Sequence, residues 1–421
     1  MMGGGLETCV ASASWIHGIE GADMASFAAS VTVEDLERDP YAIYARLREQ
    51  EPVAFVPAVN AWFVTRWDDV GVITKNPDLF SSEDPTSPVC RHFGMPAIIH
   101  TDGDVHKRLR QGFAPHYSAR NVATYIDELV TPIAGHFLER LLEKGRAELM
   151  AEYFEPISAL CLARSIGLQD VDVTTLRQWF AGLSQGAIDF ERDPQRGAVC
   201  ARTVSEINQA LAPVFERLAA TADDSVLSNM LRYGLPEGEV CSREFIMPTV
   251  LVALLGGMQE PGHGAGTTLV GLLSDQAQMQ YVLEDLDGRL RNAVLEGVRW
   301  VSPIGTQGRM PLRDIEVGGV GLKKGASVSA ILASANRDPT MFERPDEFDV
   351  RRPEAGGGHA TFGFGPHFCA GKWFALAQME ISLRVLIRGV ENLRLDPGAR
   401  IPEFQGWEFR APKRLDVLFD S

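Results

Sequence analysis

The stretch FGFGPHFCAG, residues 362–371, sets one thiol, Cys369, two residues after an imidazole, His367, among Gly363, Gly365 and Gly371. Glycine permits positive φ and close approach of the backbone to another group, which a flat cofactor stacked on the loop would need. The helix-forming residues that open at Gly371 and Lys372 put Cys369 just ahead of a helix N-terminus. There the dipole and the free N–H groups favour a thiolate over a thiol. A thiolate held by backbone amides is the axial ligand that haem iron takes when O–O cleavage is the task. The pattern F-x-x-G-x-H-x-C-x-G is filled at every position, by Phe362, Gly365, His367, Cys369 and Gly371. An inert cysteine beside a glycine-rich turn accounts poorly for that.

Other residues stand at spacings with chemical meaning. Glu296 and Arg299, in RNAVLEGVRW, are three apart and share a helix face. His106 and Arg110, in GDVHKRLRQGF, are four apart and do the same. The segment VLVALLGGMQEPGHGAGTTLVGLL is a long apolar helix with Gly256 and Gly257 inside it, where a kink can open. Gln259, Glu260 and Pro261 follow. A carboxyl in apolar surroundings has a raised pKa and can act as an acid or base near neutral pH.

Together these motifs resemble those of the cytochrome P-450 haem-thiolate monooxygenases, over nearly the whole chain from about residue 32 to the end. The resemblance implies a fold that is mainly α with a minor β part: one large, triangular, α-rich domain with small β-sheets, residues 32–421, behind a flexible extension of residues 1–31. It implies haem b as cofactor, with Cys369 as the iron ligand. His106, Arg110, Arg309 (in GRMPLRD) and His367 match contacts to the haem propionates, where cations make charge-assisted hydrogen bonds. Glu296 and Arg299 match an ion-pair network completed by Arg352, in the meander RPDEFDVRRP, whose role is scaffolding behind the haem.

The chain departs from the family at the oxygen-activating helix. Most members follow the glycines with an acid and then a threonine, which deliver protons to bound dioxygen. Gln259 and Glu260 hold those positions here. Three readings stay open: Glu260 is itself the acid–base group, it positions hydrogen peroxide as the oxidant, or it caps a helix broken at Pro261.

The phrase MQEPGHG is similar to a small bacterial subfamily that O-demethylates lignin-derived methoxyphenols, the guaiacol demethylases. RDPYAIYARLREQEPVAFVP, FGMPAIIHTDGDVH, LRQWFAGL and GWEFRAP add to that resemblance. It implies loss of hydrogen from an aryl methoxy group, hydroxylation to a hemiacetal, and collapse to a phenol and formaldehyde. A small flat substrate needs a tight aromatic pocket with few polar groups. The subfamily's pocket positions match Phe93, Ile99, Val252, Gly256 and Phe409. Ala187 stands where the subfamily places phenylalanine, and Gln307 and Gly308 where it places alanine and threonine. The freed space has the size of one ring substituent, so syringol (2,6-dimethoxyphenol) is the expected substrate, ahead of guaiacol and its 4-alkyl derivatives. A side chain from elsewhere filling the gap at Ala187 is the competing expectation.

These residues must be positioned by helices. Helical periodicity is predicted over 32–50, about 105–115, 119–143, 147–167, 173–188 and 201–220, through a long apolar helix from 242 to about 278, and from about 371 to 390. A strand pair is predicted in PVAFVPAVNAWFVTRWDD, a loop over 189–200 and a hairpin in VGGVGLKKGASV. Of 421 residues, 45% are hydrophobic and 23% charged, as in ordinary globular proteins. The formal charge of −16 argues against nucleic acid or an anionic membrane as partner. Six scattered cysteines without a CxxC pair argue against a disulfide framework or structural zinc and fit a reducing cytoplasm. No run is long enough to span a membrane, and the N-terminus lacks the features of a secretory signal.

Lys107, Arg108, Arg120 and Lys372 could form a basic dock for an electron donor near Cys369. The resemblance implies a reductase carrying FAD and a [2Fe–2S] centre, or a ferredoxin-type donor fed by NAD(P)H; hydrogen peroxide is the alternative oxidant. Hydroxylation of another small apolar molecule, such as a terpenoid, is the rival activity. A haem-thiolate sensor is a further rival, disfavoured by the lack of an output domain.

Overall fold

The computed structural model describes residues 25–353 and 358–420. Residues 1–24 of the expected extension, and most of the loop EAGGGHA, lie outside the described residues. From Ala25 the chain is already packed. The amides of Phe27 and Ala28 donate to the Glu51 carboxylate at 2.9 and 3.0 Å, and Ala28 is fully buried. The packed body thus begins ahead of residue 32.

The periodic segment at 32–50 is two helices, Val33–Arg38 and Pro40–Gln50. Proline disfavours the α conformation in the residue before it. Asp39 therefore leaves the first helix and caps the second, accepting from the Tyr41 amide. The predicted strand pair forms as Val53–Val56 and Ala61–Val64, antiparallel, but the end of the predicted stretch is not strand: Trp67, Asp68 and Asp69 open the helix Trp67–Lys75. A five-stranded sheet continues through Val328–Ile331, parallel to Ala61–Val64, then antiparallel Thr306–Pro311 and the short edge strand Phe80–Ser81. A second sheet joins Arg146–Glu148, Asp416–Asp420 and Glu391–Leu395. The predicted hairpin pairs Ile315–Val317 with Val320–Leu322.

The helices form the bulk of the molecule. Ala119–Leu142 lies along Lys372–Gly389, which also packs on Glu260–Ser274 and Leu286–Trp300. Their apolar faces share one large core with Val173–Ala187 and Arg243–Met258. No helix among the described residues is long and apolar enough to cross a membrane.

Three expectations are corrected. Residues 189–200 are not all loop. A helix begins at Pro194 and runs to Ala220, with Asp193 accepting from the Gln195 amide and proline in its first turn, where a missing N–H costs nothing. Residues 147–167 are not one helix. A strand Arg146–Glu148 leads into a π-helical turn, Met150–Phe154, and then the helix Glu155–Ser165. The long apolar helix is interrupted. Arg243–Met258 ends at Gln259, Glu260–Ser274 starts afresh, and Gln276–Glu284 is separate. Pro261 in the new first turn supplies no N–H to the preceding turn, which is why the break falls there.

Candidate functional site

The cysteine loop is built as a cradle. Gly363 and Gly365 have φ of +68° and +69°. A Cβ on Gly365 would lie 2.5 Å from the carbonyl oxygen of Thr74, so only glycine lets the loop pass the helix Trp67–Lys75. The Cys369 amide donates to the Phe362 carbonyl at 2.8 Å, closing the turn. Gly371 caps the helix Lys372–Gly389.

Cys369 sits deep among protein atoms, yet its side chain is accessible. Burial pushes its pKa up, and the opposing pull of the Gly371 and Lys372 amides and of Arg110 is the weaker. The amides at the helix N-terminus pull toward the thiolate, as the sequence implies. A coordinated metal cation deprotonates a thiol outright.

A row of hydrogen bonds fixes the loop to the scaffold. Arg299 grips Glu296 bidentately at 2.7 and 2.8 Å, and Arg352 reaches both Glu296 oxygens at 3.2 Å. Arg299 also donates to the carbonyls of Asn336, Pro345 and Glu347. Asn336 in turn donates to Thr361 Oγ1 at 2.8 Å and accepts from the Ala360 amide. Glu296, Arg299 and Asn336 are at most 4% exposed. Asn336 and Thr361, which join the ion pairs to the cysteine loop, were not singled out from sequence. Their partners lie 24–63 residues away, so no local pattern marks them.

On one side of the loop, two imidazoles and two guanidinium groups converge. The rings of His106 and His367 are 4.1 Å apart between centroids. Arg309 is 3% exposed, and one of its terminal nitrogens has no partner. His106 Nε2 is likewise buried without a partner. Burial, then His367 and Arg110, push the His106 pKa down to about 4, and burial lowers Arg309 to about 10. One anion is built in. Asp102 does not cap the helix it precedes; it accepts from Ser81, from both donors of Ser82 and from His367. Burial works to raise its pKa, but these donors hold it well below the ordinary carboxylate range. Asp102 escaped the sequence reading because an aspartate before a helix reads as a cap.

Unpartnered buried cationic donors are costly. Two carboxylates placed among them would relieve both the unmet hydrogen bonds and the mutual repulsion. The donor set thus fits a haem, with its thiolate site and two propionates.

The residues expected to line a substrate pocket come from several elements that pack together. Phe93 ends the helix Pro88–Phe93, which contacts Val173–Ala187 and Arg243–Met258. The Ile98 amide donates to Thr249 Oγ1 at 3.0 Å, holding the loop of Ile99 beside the helix of Val252 and Gly256. Phe409 packs edge-on to Phe180 at 6.5 Å. Gly256 and Gly308 both face open space: a Cβ on either would meet no atom within 4 Å. Ala187 is buried in the core cluster that includes Phe93. Gln307 turns to the cysteine loop; its side chain would touch a Cβ on Gly363. Of the three positions expected to give extra room, Gly308 is the one that faces open space.

Glu260 is 5% exposed, and one of its carboxyl oxygens has no partner. The other accepts from the Gln259 amide at 3.3 Å, so Glu260 does sit at the helix break. Burial pushes its pKa up to about 8 against those backbone donors, leaving it protonated at neutral pH. Of the expected basic dock, Lys107 and Arg120 are exposed, whereas Arg108 is turned inward over the Phe245 ring at 4.6 Å.

The fold and the cradle together define a haem-thiolate protein. A family model described as Cytochrome P450 matches residues 275–416, which include both the ion-pair scaffold and the cysteine loop. Pulcherriminic acid synthase of Bacillus subtilis is 26% identical over 403 residues, 93% of this chain and 98% of that protein. The 6-deoxyerythronolide B hydroxylase of Saccharopolyspora erythraea is 28% identical over 380 residues, 84% of this chain and 91% of that one. Among solved structures, P450BioI in complex with an acyl-bearing carrier protein superposes with a TM-score of 0.81 at 23% identity, covering 92% of this chain and all of that one. Cytochrome P450 CREJ, in complex with (4-ethylphenyl) dihydrogen phosphate, does so with 0.78 at 24% identity, covering 91% and 97%. The chain is thus similar to the cytochrome P450 monooxygenases, which carry haem b on a cysteine thiolate and draw electrons from partners such as a ferredoxin and its reductase.

Proposed function

We propose that this P450 O-demethylates methoxyphenols, syringol foremost and guaiacol and its alkyl derivatives next, releasing formaldehyde. Cys369 is the iron ligand, and His106, Arg110, Arg309 and His367 hold the propionates. The haem, when bound, supplies oxygen activation and hydroxylation of the methoxy carbon. The residues of this chain bind and orient the ring and supply protons.

The carrying observation is the open space at Gly308 and Gly256, taken with the apolar Phe93, Val252 and Phe409 of one core cluster and the exposed Ile99. A flat ring fits such a set, and a second ortho methoxy group takes the room that a threonine at 308 would fill. Glu260, protonated at neutral pH, acts as the proton donor where relatives use an acid and a threonine. Its placement at the helix break also suits hydrogen peroxide as oxidant. The relatives named above act on other substrates by their names, so the substrate reading rests on this pocket and on the MQEPGHG resemblance. Cytoplasmic residence, and a reductase with FAD and [2Fe–2S] or a ferredoxin-type donor, complete the proposal.

The test is a Soret-shift titration across methoxylated phenols, followed by formaldehyde assays with NADH plus reductase and with peroxide alone. Syringol should bind at least as tightly as guaiacol and yield formaldehyde with the demethylated phenol. Binding without formaldehyde release returns the terpenoid-type hydroxylase reading.

A further inference from the structure

A cavity of about 640 Å³ opens on the surface away from the cysteine loop, between the helices Ala119–Leu142, Glu155–Ser165 and Val173–Ala187. Arg140, Lys144 and Gln178 form its exposed rim. Its inner wall reaches Gln259, the residue at the break in the long helix.

Between that wall and the helix interior lies an uncommon run of buried polar atoms. Glu260 Oε1, His263 Nδ1 and Thr267 Oγ1 are buried and unpartnered. They stand at i, i+3 and i+7, on one face of the helix Glu260–Ser274. Buried polar atoms of this kind take ordered water. The other ring nitrogen of His263, Nε2, is 3.9 Å from Glu155 Oε1, and Glu155 Oε2 accepts from Arg177 at 2.6 Å. Glu155 and Arg177 both line the cavity. Gly262 makes the approach possible: a Cβ there would lie 2.8 Å from the Phe154 carbonyl oxygen and 3.2 Å from the Glu155 amide. Phe180 closes the remaining side, edge-on to the His263 ring at 6.2 Å.

We propose that His263 and Glu155 form a proton entry, carrying protons from this cavity to Glu260 across the helix break. The idea rests on Glu260 being the acid–base group and is independent of the substrate. The step balances without electrons. Neutral His263 accepts a proton at Nε2 from the Glu155 side and releases the Nδ1 proton, through water, to the Glu260 carboxylate. A reverse turn of the ring or of the water file then restores the first tautomer. Burial holds the His263 pKa down to about 4, so the ring rests neutral and both nitrogens are available to the exchange. Glu155, its side chain 16% exposed, is the member of the pair that lines the cavity. His263 and Glu155 are positioning residues; neither touches the reacting atoms.

The test is infrared spectroscopy of the resting ferric holoenzyme. The carboxylic C=O stretch is assigned to Glu260 by its loss in Glu260→Gln, and its shift is timed after transfer into D2O. His263→Phe and Glu155→Gln should each slow that shift at least tenfold while leaving the band frequency and the Soret spectrum in place. Phe180→Leu, which alters packing without removing a proton carrier, should leave the rate within about twofold. Unchanged exchange in His263→Phe or in Glu155→Gln overturns the route. Absence of a protonated Glu260 band overturns the acid–base reading of Glu260 itself, which separates the two failures. If His263→Phe does not fold, His263→Asn keeps a polar group of similar reach but cannot relay between two nitrogens, and it should slow exchange as well.

Discussion

His106 and His367 lie ring against ring, 4.1 Å between centroids, and only one of them has an anionic partner. His367 donates to or accepts from Asp102 at 3.0 Å, while His106 Nε2 has none. Two imidazoles and two guanidinium groups around one carboxylate form a site rich in hydrogen-bond donors, which suits the two propionates of a haem.

Removing His106 should therefore weaken the haem more than the fold. A hydrogen bond to a charged group contributes about 1.5–3 kcal/mol, so His106→Ala should speed haem loss to an acceptor protein roughly ten- to hundredfold. Thiolate ligation, read from the ferrous carbonyl spectrum, should survive. Loss of that spectrum with retained haem would mean that His106 supports the cysteine loop instead.

The Glu296–Arg299 pair has the opposite character. Both side chains are buried and each satisfies the other. Glu296→Gln strands two arginines and should cost about 3–5 kcal/mol. The expected result is little holoprotein and an apoprotein open to proteolysis, with no rescue by added haem.

Glu260 links stability to pH. Below about pH 4.5 its carboxyl is protonated in the folded and unfolded chain alike, and it contributes nothing to the difference. Between there and about pH 8 only the unfolded chain ionises, so stability falls as pH rises. The loss is at most about 5 kcal/mol for a shift of this size. Glu260→Gln should abolish it. The variant should melt several degrees above the parent at pH 8 and close to it at pH 5, while losing most of its reductase-driven turnover. Parallel melting curves at the two pH values would show Glu260 ionised in the fold.

Gly308 should govern the choice of ring. Gly308→Thr fills the open space beside the strand Thr306–Pro311. Syringol affinity should fall at least tenfold by Soret titration, while guaiacol affinity changes about threefold or less. Equal losses for both would place the second methoxy group elsewhere.

Much of this was legible in the residues themselves. The glycines and cysteine of 362–371, the Glu296–Arg299 spacing and the His106–Arg110 spacing act within one turn or one helix face, so local chemistry displays them. The strand pair near residue 60 and the hairpin near 319 are local as well, and they form where predicted. Asp102, Asn336, Thr361, Glu155 and His263 were not legible, because each acquires its role from a partner brought up by folding. The sequence by itself determined that Cys369 stands before a helix among glycines, since those are properties of adjacent residues. Only the tertiary structure decided that Asp102 comes up beside His367, that Gly308 faces open space while Ala187 is buried in the core, and that burial raises the Glu260 pKa. Desolvation and packing sum over atoms from the whole chain, and no local stretch contains that sum.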